Sequence, residues 1–109
     1  MTEQQIIETL ATKVMGWKID GVAYVKADNP DYMVGVQVAN WNPLQNIADA
    51  WMLVEKLYIG VIPQSPGAPE DMKFLAVLET HPYDSNIEVY AKTAQEAICK
   101  AALEVLTQR

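Results

Sequence analysis

Residues 72–80, Met-Lys-Phe-Leu-Ala-Val-Leu-Glu-Thr, constrain the fold more than any other stretch of this chain. At period two, Phe74, Ala76 and Leu78 lie on one side and Leu75 and Val77 on the other, so both sides are apolar. A strand of that kind belongs in the middle of a sheet covered on both faces. Its partner follows after a loop at residues 81–86: Ile87, Val89 and Ala91 alternate with Glu88, Tyr90 and Lys92, which makes a hairpin. Something helical must then cover the sheet.

Three stretches have the helical period. The first spans residues 3–15. Thr2 and Gln5 form a capping box, Ile6, Leu10 and Val14 line one face beside Ile7 and Ala11, and Gly16 supplies the left-handed residue that closes a helix. The second opens at Asn42-Pro43, with Asn as cap and Pro at the first helical position. Ile47, Trp51, Val54 and Tyr58 form its apolar stripe, widened by Ala50 and Leu57, which puts Trp51 in the core. The third begins with a second capping box, Thr93 and Glu96. It carries Ile98, Cys99, Ala102, Leu103 and Leu106 inward and Glu96, Lys100 and Glu104 along its outer edge.

Two further strands are read at residues 21–26 and 33–40, around the Asp28-Asn-Pro-Asp31 turn. Residues 61–71 hold three prolines and a glycine and read as a flexible surface loop. The expectation is a single α+β domain over residues 1–109. It is a three-layer α/β/α sandwich with a mostly antiparallel sheet of three to four strands and three helices, ordered α-β-β-α-β-β-α.

Charge and cysteine usage exclude several functions. Against 14 acidic residues stand 8 basic ones, a net charge of −6, and the lysines are scattered singly, so no binding of a nucleic-acid duplex is expected. One cysteine forbids an internal disulfide and fits a reducing cytosol. No apolar run approaches the roughly 18 residues of a membrane span, and the N-terminus lacks the basic and apolar regions of a secretory signal.

No catalytic set emerges. His81 is the only histidine, so a Ser-His-Asp triad cannot be composed around Ser65 or Ser85 without it, and a zinc site lacks ligands. Cys99, flanked by the inner face of its helix, reads as core. The glycines are isolated, so no phosphate-cradling loop exists. Glu79 and Glu88, on facing strands, are the remaining catalytic material and would define a small carboxylate-dependent enzyme, metal-assisted or not. No cofactor is expected.

Trp17 and Trp41 stand at element boundaries and admit two readings. Either they plug the end of the core, or they offer stacking faces. In the second case Trp17, Trp41 and Asn42 would form a ligand site, with Lys18 and Tyr83 in support: aromatic faces for a base, an amide for its edge, a lysine for a phosphate.

The blocks Met15-Gly16-Trp17, Trp41 and Pro43 before Ala50-Trp51, Val54-Glu55, and the final Ala-Ile-Cys-Lys-Ala-Ala-Leu-Glu-Val-Leu of residues 97–106 together resemble the phage ABA-sandwich domain, over about three-quarters of the chain. Members often carry Ser-Thr-Asp after the proline, where this chain has Leu44-Gln45-Asn46. The resemblance implies a sheet held between helices, an origin in a phage or prophage, and a place in the cytosol of a bacterial host. It brings no established activity. The expected function is therefore a non-enzymatic accessory protein that acts by binding, for instance a counter-defence protein that sequesters a host nucleotide-like signal or occupies a host protein. The alternatives are the carboxylate enzyme above and a structural phage component. Tyr90, Val61 and Ile62, apolar groups near strand edges, suggest a homodimer.

Overall fold

The structure, a computed structural model, describes residues 2–20, 23–25, 37–38, 40–80 and 85–107. The Asp28–Asp31 turn lies outside these residues, as do His81 and Tyr83.

Helix α1 (Glu3–Thr9) starts as its capping box requires: the Gln5 amide donates to Thr2 Oγ1 at 3.2 Å and the Thr2 amide to Gln5 Oε1 at 2.8 Å. It continues as a π-helical segment, Leu10–Val14, in which the Met15 amide reaches back five residues to the Leu10 carbonyl at 3.0 Å. Gly16 then takes φ +76°, and the Trp17 amide bonds the Ala11 carbonyl at 2.9 Å. The widened turn and the left-handed glycine together swing Trp17 under the helix end.

Strands β1 (Lys18–Asp20), β2 (Ala23–Val25) and β3 (Gln37–Val38) form one antiparallel ladder in that order. Helix α2 (Ile47–Leu57) follows. Strands β4 (Gly60–Pro63), β5 (Phe74–Thr80) and β6 (Ser85–Ala91) form a second antiparallel ladder with β5 in the centre, and helix α3 (Ala94–Thr107) ends the chain. The fold is α+β, with three helices and the β5–β6 hairpin where the sequence places them. Two strands were not anticipated, β1 and β4. The segment expected to be a flexible loop in fact begins as β4, in register Val61 with Ala76 and Ile62 with Leu75. Pro63 sits at the strand's last position on a sheet edge, where its missing amide costs no ladder bond. Beyond it the loop is tied down. The Gln64 amide bonds the Lys73 carbonyl at 2.9 Å, and Lys73 Nζ donates to the Pro66 carbonyl at 3.1 Å.

The core gathers on α3. This helix lies on β5 and β6 and also packs against α2 and the π-helical end of the first helix. Ala97, Ala101 and Ala102 are buried there with Ile98 and Cys99, and small side chains let the neighbours approach closely. From the sheet, Ala76, Leu78, Ile87 and Ala91 enter the same core. The opposite side of the ladder aligns Ile62, Leu75 and Tyr90 across three strands; Leu75 is half-buried, while Ile62 and Tyr90 are exposed.

Helix α2 departs from the expected stripe. It buries Ala50, Leu53 and Val54, and leaves Ile47, Trp51 and Tyr58 in solvent. Trp51 is 47% exposed, which corrects its assignment to the core. The helix also starts later than Asn42-Pro43. Its cap is Asn46, whose Oδ1 accepts from the amides of Ala48 at 2.9 Å and Asp49 at 3.2 Å.

Candidate functional site

Trp17 and Trp41 meet edge to face, ring centroids 5.0 Å apart with planes at 72°, and each is only 3% exposed. Rings so buried present no open face to a base or a sugar. They serve as the core plug, the other reading the sequence allowed. The described members of that expected set do not line the cleft that the structure shows. Asn42 Oδ1 is engaged locally, accepting from the amides of Leu44 at 3.1 Å and Gln45 at 3.3 Å, while its own amide donates to Asp49 Oδ2 at 2.9 Å. Lys18 is exposed at the start of β1, and Tyr83 falls outside the described residues.

The turn that begins at Trp41 does border a concavity, one step further on. Buried Trp41 and Pro43 anchor it, and Leu44 and Gln45 project into a cleft of ≈ 370 Å³ between the starts of α1 and α3. Its floor is apolar, made by Ile6, Leu44, Cys99 and Leu103; its rim is polar, made by Glu3, Gln45, Thr93, Glu96 and Lys100. That volume lies at the lower end of the range of small-molecule clefts, about 300–1,000 Å³. Along α3 Lys100 Nζ pairs with Glu96 Oε1 one turn away at 3.1 Å, and from the 41–46 turn Gln45 Nε2 reaches Glu3 Oε1 on α1 at 3.5 Å. Thr93 Oγ1 accepts the Glu96 amide at 3.1 Å, which closes the start of α3.

None of these lining residues was singled out as a ligand group from the sequence. A signal existed: three helix-start signatures, at Thr2, Asn42 and Thr93, each stand within three residues of a lining group. Their convergence at one end of the fold is a tertiary fact that spacing alone does not carry.

Cys99, at the floor of the cleft, has its thiol pushed up to about 12 by burial and, secondarily, by the charge of Glu96, so at neutral pH it is a packed thiol and no nucleophile. Glu79 stands opposite Asn86 and Glu88 opposite Val77, so the two glutamates are diagonal neighbours with backbones about 7–8 Å apart. Among the described residues no three His, Cys, Asp or Glu side chains gather as a metal site would need, and no helix is long and apolar enough to cross a membrane.

No curated protein matches the chain. A phage protein from Bacillus cereus ATCC 14579, known from a 2.0 Å crystal structure, is similar over 98% of this chain and 89% of its own, with a TM-score of 0.71 at 27% identity. The model of the phage ABA sandwich domain matches residues 8–103. That span includes the π-helical turn, the Trp17–Trp41 plug, the start of α2 and most of α3, and the chain belongs to the phage ABA sandwich domain family.

Proposed function

We propose that this phage-family protein acts by binding rather than by catalysis, as a counter-defence accessory protein that captures a small host molecule in the cleft between α1, the residue 41–46 turn and α3. One observation carries the reading: an apolar-floored, polar-rimmed cleft of ≈ 370 Å³ opens on a fold in which, among the described residues, no metal-ligating cluster assembles. A nucleotide-like signal is one class of captive, and its base is the part an apolar floor would hold. An occupied host protein is the other form of the same reading.

The experiment uses the tagged chain expressed in a bacterial host. Small molecules released on heat denaturation are identified by mass spectrometry, beside those from Gln45→Trp, which fills the cleft from an exposed rim position. A compound enriched with the native chain and lost with Gln45→Trp is expected, together with a parallel loss of protection when a phage infects a host that carries a defence system. Equal recovery from both proteins counts against the cleft.

A homodimer belongs to the proposal: of the three groups expected there Ile62 and Tyr90 are exposed in one row with Leu75 between them, whereas Val61 is turned to the core side beside Ala76. Light scattering that stays at the monomer mass of 12.2 kDa throughout the micromolar range removes it.

A further inference from the structure

We infer that the cleft selects an apolar ligand bearing a positive charge, an ammonium or guanidinium on an alkyl or aromatic frame, over an anion of the same shape. This rests on the binding reading above and narrows it, turning it away from an anionic nucleotide-like captive. The rim brings two carboxylates, Glu3 and Glu96, against one lysine, Lys100. Lys100 is engaged: its Nζ lies 3.1 Å from Glu96 Oε1, so its charge is matched before any ligand arrives. Glu3 is met by a neutral donor, the Gln45 amide, at 3.5 Å, the long limit of a hydrogen bond. Its negative charge is offset by the amide end of α1, in whose first turn it stands, and among the described residues no cation is paired with it.

The start of α3 would attract an anion through its backbone dipole, but Glu96 in its first turn already supplies one and Thr93 closes its amide. The floor adds no charge, since Ile6, Leu44 and Leu103 are apolar and the Cys99 thiol is held neutral. Over the whole chain the net charge of −6 draws cations and repels anions at range.

Tryptamine and indole-3-acetate test this, because they share an indole frame and differ in the sign of the charge. Each is titrated into the ¹⁵N-labelled full chain at low salt while the backbone amides are followed. The amides of Ile6, Leu44, Gln45 and Leu103 are expected to move with tryptamine, at concentrations about ten-fold below those needed for indole-3-acetate. Glu3→Gln, whose amide spectrum also reports that the fold is kept, should shrink that ratio several-fold, and raised salt should do the same. Equal response to both compounds, or a stronger one to the acid, overturns the charge preference while leaving the cleft as a binding site. If neither compound moves these amides, the cleft reading itself falls.

Discussion

The tryptophans of this chain divide into two environments, and the division runs against side-chain hydrophobicity. Trp17 and Trp41, at element boundaries, are sealed into an edge-to-face pair, while Trp51, in the middle of an amphipathic helix, is half in solvent. Helix α2 accepts either of two stripes at the helical period. One runs Ile47, Trp51, Val54 and Tyr58; the other runs Ala50, Leu53, Val54 and Leu57. The second wins where α2 packs against α3: Ala50, Leu53 and Val54 are buried, and a small Ala50 lets a neighbour approach where Trp51 would not. Bulk decides which face is most apolar, but available space decides which face is buried.

The largest expected effect breaks the buried pair. Trp41→Ala removes a ring from the core and should cost about 3–5 kcal/mol, lowering the melting temperature by roughly 12–24 °C. A double-mutant cycle with Trp17→Ala should then return a coupling of about 0.5–1.5 kcal/mol for the edge-to-face contact. A melting temperature unchanged in Trp41→Ala would mean that the pair is not the plug described above.

Next comes the start of α2. Asn46→Ala abolishes the acceptor for the Ala48 and Asp49 amides and should cost about 1 kcal/mol by chemical denaturation. Asn46→Asp restores the residue common in the family at this place and should hold stability at or above the native level, because a carboxylate caps and also complements the helix dipole. Stability kept in Asn46→Asp would account for the family's aspartate by capping alone. A loss on Asn46→Asp would argue for a different role.

A comparable change of opposite sign is expected at the other end of the helix. Both Gly16 and Tyr58 terminate helical segments with positive φ, +76° and +58°, but only the glycine adopts that region without a Cβ penalty. Tyr58 is 88% exposed, so little packing is forfeited when its side chain goes. Tyr58→Gly should raise stability by up to about 1 kcal/mol, and a measured loss would reveal a contact for the ring that this state of the protein does not make.

The alkaline limb offers a smaller, conditional effect. Below pH 9.0 folded and unfolded chains both hold the Cys99 proton; between 9.0 and about 12 the unfolded chain releases it and the folded chain keeps it. Stability therefore falls as pH rises through this window, by about 1 kcal/mol at pH 10 from this group. Cys99→Ala lacks that loss, so the difference between the two proteins should narrow from pH 8 to pH 10. A constant difference across the range would show that the thiol titrates alike in both states.

What could be read in the sequence was local. The capping boxes at Thr2 and Thr93, the left-handed Gly16 and the β5–β6 hairpin each follow from a few adjacent residues, and each is present, although of the Thr93 box only the Glu96 amide to Thr93 Oγ1 half is seen. Strand β4 was hidden because Gly60 and Pro63 flank only two β-formers, and pairing with β5 rather than propensity makes it a strand. The cleft was hidden for another reason. Its walls come from residues 3 to 103, and only tertiary packing, which seats the π-helical end of the first helix on α3, makes them neighbours.

The smallest expected effect completes the division among the tryptophans. Trp51→Phe should change stability by no more than about 0.5 kcal/mol, since the ring is 47% exposed and the phenyl group preserves its partial contact. Fluorescence gives the sharper readout. In the native chain Trp51 should supply the red-shifted emission that iodide quenches, while Trp17 and Trp41 emit from an apolar surround and resist it. Trp51→Phe should then leave only a blue-shifted, poorly quenched signal. If the native emission is already protected from iodide, something covers Ile47 and Trp51 in solution, and a partner or a second copy seated on α2 becomes the reading to test. If quenching persists in Trp51→Phe, the buried pair is more open than its packing implies. Under either result the two environments would no longer stand apart as they do here.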